Sequence, residues 1–115
     1  MEIKRFHVGK RLSEVAVHNG TIYLAGMVPE VGGSIQAQTA DVLSQIDRLL
    51  AEAGSDKSRI LMAQIYITDL ANFAGMNEVW DAWVVEGNTP PRATVVAQLA
   101  RPEWLLEIVV TAAQQ

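Results

Sequence analysis

The chain has 115 residues, 50% of them hydrophobic, and a formal net charge of -4 at pH 7. This length suits one compact domain with one core, and we expect residues 1–115 to form it. The absence of cysteine excludes disulfides and thiolate chemistry, and the scattering of the nine lysines and arginines argues against nucleic acid as a partner.

The N-terminal segment is charged and alternates loosely. Ile3, Phe6 and Val8 are its apolar members, so we predict a first strand over residues 2–8. No basic stretch followed by an apolar run occurs there. No apolar run anywhere approaches the roughly 18 residues that a membrane span needs. We therefore expect a soluble, cytoplasmic protein without a membrane partner.

An Asn-Gly pair at positions 19–20 predicts a hairpin. It separates two runs rich in strand-forming residues, 14–18 and 21–25. A two-residue type I′ turn needs positive φ at both central positions, which asparagine and glycine tolerate. Gly26 closes the hairpin, and a loop follows over residues 28–33.

From Ser34 the apolar residues recur every three or four positions, which predicts a helix to about Ala53. Ser34 can cap the first turn, and Gly54 suits the position after the end. We expect one face of this helix to be buried and the other to be polar and solvated. The buried residues are Ile35, Thr39, Val42, Leu43, Ile46, Leu49 and Leu50, and the solvated ones Gln36, Gln38, Asp41, Gln45, Asp47 and Arg48.

Residues 60–68 are almost continuously apolar and rich in β-branched and aromatic side chains, which predicts a central strand covered on both faces. Asp69 or Asn72 can then cap a second helix that ends near Gly87. The apolar residues of this helix recur at helical spacing, so we interpret them as core rather than as a stacking surface. They are Phe73, Met76, Val79 or Trp80, and Trp83.

A second hairpin is predicted at the C-terminal end. Prolines at 90–91 force an extended start to a strand over residues 92–99, and another strand follows over 105–112. The element order β, ββ, α, β, α, ββ is an α+β pattern, a two-layer sandwich with both helices on one face of one sheet. The opposite face also carries apolar side chains, so we expect oligomerisation to cover it.

Arg92 and Glu107 are the charged residues of these last strands, and alternation places each on the wetter face. The guanidinium of Arg92 suits bidentate capture of a carboxylate, or it pairs with an acidic residue at the sheet edge or at a subunit interface. Glu107 can act as a general base, hold a water, or serve only as the partner of Arg92. A hairpin turn at 101–102 sets them roughly 13 Å apart along the strands. A shared site then needs converging side chains, another register or a neighbouring subunit.

Other polar residues are weaker candidates by residue type. An asparagine inside a helix, such as Asn77, more often bonds a nearby loop than a ligand. His7 and His18 are isolated, and no His, Asp and Glu occur at metal-ligand spacing, so we predict no metal site. The sequence also has no glycine-rich phosphate loop, nucleophile elbow or dinucleotide fingerprint.

Four segments resemble the RidA (YjgF) family of reactive-intermediate deaminases, and the likeness covers nearly the whole chain in the family's order. They are the HNGTIYLAG hairpin ending in Gly26, the FAGMNEVWDAW helix, the PPRATV segment and the LEI segment. The chain is most similar to the shorter, YoaB-like branch. The resemblance implies a single RidA-like domain with a chorismate-mutase-like α+β fold and one mixed sheet. It also implies a homotrimer whose sheets form a central barrel, with three sites in the clefts between subunits.

The same resemblance implies an activity. It is that of a cofactor-independent, metal-free enamine/imine deaminase, which hydrolyses 2-imino acids released by pyridoxal-phosphate enzymes to 2-oxo acids and ammonia. Arg92 matches the arginine that holds the substrate carboxylate, and Glu107 the glutamate near the attacking water. Asn77 matches the helix asparagine of the family, and Gly26 a glycine whose backbone lines the cleft.

Two positions of the matching site differ from RidA. Thr94 stands two residues after the arginine, where RidA has a cysteine; the change is mild because the backbone matters more there. Leu12 stands where RidA has a tyrosine lining the pocket, which removes a polar aromatic wall. The alternative is therefore a non-catalytic trimeric module that binds small 2-oxo or other carboxylates. A ribonuclease or translation inhibitor, also associated with the family, fits the negative charge poorly.

Overall fold

A computed structural model describes residues 2–115 of the chain, which form six strands and two α-helices. The helices are α1 (Ile35–Glu52) and α2 (Phe73–Trp83). The strands are β1 (Lys4–Val8), β2 (Ser13–His18), β3 (Thr21–Leu24), β4 (Ile60–Ile67), β5 (Arg92–Val96) and β6 (Leu106–Ala113). They form one mixed sheet in the order β1-β2-β3-β6-β4-β5. In the described part of the chain, neither helix is long and apolar enough to cross a membrane.

The Asn-Gly hairpin is confirmed. Asn19 and Gly20 have φ of 53° and 77° and connect the antiparallel strands β2 and β3. Positive φ at both positions matches the right-handed twist of the flanking strands, which is why asparagine and glycine are used there.

Helix α1 follows its predicted bounds. The Ser34 hydroxyl accepts a hydrogen bond from the Ala37 amide at 3.1 Å, and Gly54, with φ of 82°, follows the last turn. The prediction of a solvated polar face is wrong for two residues. Gln38 and Gln45 are only 2% and 6% exposed, because both hydrogen-bond the backbone of loops that cover them.

Helix α2 is shorter than predicted and ends at Trp83 rather than near Gly87. Val84 leaves the helix with an extended backbone and packs, partly buried, against the core. A single 3₁₀ turn, Leu70–Asn72, precedes the helix, and the Asp69 carboxylate caps it by accepting from the Ala71 amide at 2.8 Å.

The predicted C-terminal hairpin is wrong. β6 pairs antiparallel with β3 and β4 in the middle of the sheet, whereas β5 pairs with β4 in parallel and forms an edge. Burial explains the difference, because every second side chain of β6 is buried and a central position covers them all. The prolines before β5 have no N–H to donate, which suits an edge strand.

Both helices cover one face of the sheet, as the α+β prediction required. The shared core holds Val15, Val17, Ile22, Leu24, Val42, Leu43, Ile46, Leu49, Leu50, Ala63, Ile65, Ile67, Met76, Trp80, Leu106, Ile108, Val110 and Ala112. The other face has no covering element within residues 2–115, so β4 is not covered on both faces as predicted. On that bare face Tyr23 is 51% and Val95 44% exposed.

Candidate functional site

Arg92, the first residue of β5, lies in register with the buried Ala63 and therefore faces the helices. Its guanidinium rests against α2, where Nη1 donates a hydrogen bond to Asn77 Oδ1 at 2.7 Å. The ring centroids of Trp80 and Phe73 lie 5.2 and 5.8 Å from its Cζ. These contacts hold the planar cation in one orientation through a charge-assisted hydrogen bond and two cation–π interactions.

No carboxylate among residues 2–115 pairs with this cation. Among residues 2–115, one ion pair has its nitrogen and oxygen within 4.0 Å, and it joins His7 to Glu52. His7 lies on β1, at the opposite edge of the sheet from Arg92. The alternative of an acidic partner at the sheet edge is therefore not realised in the protomer. With one of its five N–H groups on Asn77, the guanidinium keeps donors for a bidentate carboxylate.

A cavity of about 270 Å³ opens beside Arg92. Its lining residues are Ile67, Leu70, Phe73, Arg92, Thr94, Val95 and Val96. The Thr94 hydroxyl is buried and has no hydrogen-bond partner, which leaves an unused polar group next to the cation. The cavity thus combines a fixed positive charge with an apolar wall, a composition typical of sites for small carboxylates.

Glu107 occupies the other face of the sheet. It follows the buried Leu106 on β6 and lies in register with the partly exposed Tyr66 on β4. Gly26 adjoins its side chain so closely that an added Cβ would come within 2.8 Å of the Glu107 carboxyl carbon. Glycine is needed there for space, because any larger residue would displace the carboxylate.

Arg92 and Glu107 do not meet within one protomer. Alternation predicted that each charge lies on the wetter face of its strand. Glu107 does, because the residues that alternate with it on β6 are buried. Arg92 faces the helices, but on β5 neither face is buried: Arg92 and Thr94 are partly buried and Val96 is exposed. In the observed register Arg92 aligns with Ala63 and Glu107 with Tyr66, an offset of roughly 10 Å along β4 in addition to the separation across the sheet. Side-chain convergence is therefore excluded inside the protomer. A shared site requires Glu107 from a second copy of the chain.

Leu12 belongs to the Glu107 side of the molecule rather than to the Arg92 cavity. It ends the turn between β1 and β2 and is 58% exposed. Hydrogen bonding from the Ala25 amide to the Glu14 carbonyl extends the β2–β3 ladder and brings this turn to the end of the sheet where Gly26 lies. A second, open hollow of about 630 Å³ lies over the turn, lined by His7, Gly9, Lys10, Arg11 and Leu12.

Two groups of residues near these sites were not identified from the sequence. Trp80 belongs to the core, as predicted, and Phe73 packs against it partly buried, but both also flank Arg92. Gln38 and Gln45 hold two loops from beneath the sheet. The positions of the two glutamines could have indicated their burial, because each lies one helical turn from buried apolar residues of α1. Residues 2–115 contain no group of three or more His, Asp or Glu side chains able to hold a metal ion.

Comparison with known proteins identifies relatives over the full chain. Residues 2–114 match the family described as Endoribonuclease L-PSP. A RutC family protein from Haemophilus ducreyi is 50% identical and covers 96% of both chains. The RutC family protein YoaB of Escherichia coli is 44% identical, over 98% of this chain and 99% of YoaB. The crystal structure of a YjgF-family member from Neisseria meningitidis superposes with a TM-score of 0.99 at 56% identity, over 100% of this chain and 97% of that one.

Proposed function

Because the chain belongs to the Endoribonuclease L-PSP family, with RutC, YoaB and YjgF proteins among its relatives, we propose that it hydrolyses 2-imino acids to 2-oxo acids and ammonia. The predicted family resemblance is confirmed, and the activity is the proposal. In it, residues 1–115 act as a single domain in the cytoplasm, whose reducing conditions suit a chain without cysteine.

The observation that carries the proposal is the unpaired guanidinium of Arg92, fixed by Asn77 at the mouth of an apolar cavity. A 2-imino acid has a carboxylate next to its reactive carbon. Binding this carboxylate to a rigid cation places the carbon at a defined distance and removes most of the orientational freedom of the substrate. In this assignment Thr94 supplies a further polar contact at the cavity wall.

Glu107 has a carboxylate that can accept and return the protons that hydrolysis requires. The iminium carbon is already electrophilic, so water attacks it once a carboxylate accepts a proton from that water. A carbon–oxygen bond forms, and Glu107 then returns the proton to nitrogen. The carbon–nitrogen bond breaks and ammonia leaves, while the hydroxyl gives its proton to Glu107 and becomes the carbonyl. The departing ammonia then takes up that proton as ammonium. The iminium and one water are thereby converted to the 2-oxo acid and ammonium, without oxidation or reduction.

The two halves of this site come from different subunits in our proposal. Arg92 faces the helices and Glu107 the bare face of the sheet, so one chain cannot present both to one substrate. The bare face carries partly exposed Tyr23, Val95 and Val109, which a monomer would leave in water. We assign a homotrimer in which these faces pack into a barrel and each cleft joins Arg92 of one chain with Glu107 of the next.

The test is 2-oxo acid formation from imines produced by an L-amino acid oxidase, in competition with semicarbazide. Several amino acids are supplied in turn, so that the assay also ranks substrates. Wild-type protein should accelerate release of the oxo acid, and Arg92→Ala should abolish both turnover and binding of a 2-oxo acid. Glu107→Gln should retain binding and lose turnover. Equal loss of binding in both variants would mean that Glu107 only orients the substrate.

A non-catalytic carboxylate-binding module is the second candidate, and the observation that favours it is Leu12. Its exposed apolar side chain offers no hydrogen bond at the position where RidA has a tyrosine. Binding of 2-oxo acids without acceleration for any imine would select this candidate. Ribonuclease activity, which the family description names, is disfavoured by the net charge of -4 and would be detected as cleavage of a single-stranded RNA.

A further inference from the structure

Two glutamines of α1 are buried on the side that faces the sheet. Gln38 and Gln45 are 2% and 6% exposed. They are two helical turns apart and so lie on the same side of the helix. A buried primary amide is costly unless its donors and acceptor are used, so its partners are informative.

Gln38 holds the segment that leads into β6. Its Nε2 donates to the Glu103 carbonyl at 3.0 Å, and its Oε1 accepts from the Leu105 amide at 2.8 Å. The Leu105 carbonyl in turn accepts from the Thr68 amide at 3.1 Å. Both backbone groups of Leu105 are therefore fixed, two positions before Glu107.

Gln45 holds the segment that follows Gly26. Its Nε2 donates to the Val28 carbonyl at 2.9 Å and to Asp41 Oδ2 at 2.9 Å. The same carboxylate oxygen accepts from the Glu30 amide at 2.8 Å. One helical turn of α1 thus fixes the backbone on both sides of Pro29.

The two fixed segments meet at the contact between Gly26 and Glu107. Met27 and Ile108, the residues that follow them, exchange backbone hydrogen bonds of 2.8 and 3.0 Å. The Glu107 carboxylate therefore lies on a backbone bridge whose ends are each tied to a glutamine on the opposite face of the sheet. The glutamines touch neither the carboxylate nor the Arg92 cavity.

We propose that Gln38 and Gln45 are positioning residues for Glu107. Acting through the backbone around Leu105 and Val28, they set where the carboxylate stands relative to a substrate bound in the cleft. This inference rests on the proposed function, in which Glu107 manages the attacking water. A displacement of about 1 Å in such a group costs on the order of a hundredfold in rate, so rigid support from buried, hydrogen-bonded amides matters.

Gln38→Met tests the proposal, because methionine keeps the length of the side chain and removes both hydrogen bonds. We expect kcat to fall by at least about tenfold. KM should stay within about twofold of the wild-type value, since the Arg92 cavity is unaffected. Gln45→Met should act in the same direction. Gln38→Glu retains the acceptor for the Leu105 amide. When its carboxyl is protonated, it also regains a donor for the Glu103 carbonyl. The ratio of its kcat to that of wild type should therefore rise as the pH is lowered.

Ile46→Val is the matched control. Ile46 is fully buried on the same helix, and the change removes one methylene without touching a hydrogen bond. It should lower Tm and leave kcat unchanged. If Gln38→Met loses no more kcat than Ile46→Val does at the same folded fraction, the glutamines are structural residues only and the proposal is wrong.

Amide hydrogen exchange provides a readout that does not depend on turnover. In Gln38→Met, exchange should accelerate at residues 105–108 and 26–28 but not at residues 110–112 of the same strand. Unchanged exchange at 105–108 would overturn the proposal. If wild-type protein hydrolyses no 2-imino acid, the proposed function is wrong, and exchange alone then decides whether the glutamines order the strand that carries Glu107.

Discussion

A Cβ atom on Gly26 would come within 2.8 Å of the carboxyl carbon of Glu107, so the main chain at Gly26 lies directly against this carboxylate. Gly26→Ala should therefore push the Glu107 carboxylate away from the main chain at residue 26. We expect kcat for imine hydrolysis to fall by about a hundredfold with a small change in KM. Steady-state kinetics on the preferred 2-imino acid measures both constants.

Gly32→Ala is the control for this substitution, because a Cβ at Gly32 would meet no atom within 4 Å. Its kinetics should equal those of wild type. Wild-type kcat in Gly26→Ala would show that Glu107 tolerates displacement and would remove it from the chemical step.

Asn77 should set the carboxylate affinity of Arg92. Asn77→Ala removes an acceptor from a charged donor, a loss worth about 1.5 kcal/mol, so affinity for a 2-oxo acid should fall about tenfold. Asn77→Asp should weaken binding further, because its carboxylate would pair with the guanidinium and compete with the ligand. Isothermal titration of both variants measures the effect. Asp81→Asn, at an exposed position of the same helix, should bind like wild type, and normal affinity in Asn77→Asp would refute the assigned role.

Val109→Glu should separate the subunits. Val109 lies on the bare face in register with Gln64, and burying an unpaired carboxylate at an interface costs about 3 kcal/mol or more. The dissociation constant should rise by at least a factor of about 100. Sedimentation velocity at micromolar concentration should show trimer for wild type and for Val31→Glu, a change at an exposed loop position, and monomer for Val109→Glu. A monomeric wild type would exclude the intersubunit site.

The His7–Glu52 ion pair should make stability depend on pH. The hydrogen bond that His7 Nε2 donates to the Glu52 carboxylate, and then the negative charge of that carboxylate, raise the pKa of His7 above the ordinary 6.5. Because the pKa is higher in the folded protein, the stabilisation is fully present below pH 6.5 and is lost as the pH rises through the folded value. Nuclear magnetic resonance titration of His7 should show the raised pKa, and Glu52→Gln should lower it. The difference in Tm between Glu52→Gln and wild type should shrink from pH 5.5 to pH 9, and a constant difference would contradict this account.

The local elements of the fold follow from the sequence because each depends on neighbours in the chain. Asn19 and Gly20 specify a turn by their tolerance of positive φ, and Ser34 and Gly54 bound α1 by capping it. Strand pairing is different. Alternation assigns each residue of β5 and β6 to a face but does not say which strand lies next to which, and adjacency in sequence wrongly suggested a hairpin.

The candidate site depends on that pairing, and this is why only part of it was predictable. Arg92 and Glu107 stand out by residue type, yet their placement on opposite faces follows from the position of β4 between β5 and β6. Gln38 and Gln45 were assigned to solvent because glutamine is usually exposed. Their burial depends on contacts with loops, and the loop that binds Gln38 lies more than fifty residues away in the sequence. No local pattern indicates such a contact.

The two edges of the sheet limit how the protein can assemble. β1 presents exposed Lys4 and Arg5 and a left-handed backbone at His7, whereas β5 has five residues and begins directly after two prolines. Charges, irregular backbone and missing N–H groups all oppose the addition of another strand. Open-ended growth into filaments is thereby blocked at both margins. In the proposed trimer, association therefore uses the uncovered face of the sheet, where packing ends once a ring of copies has closed.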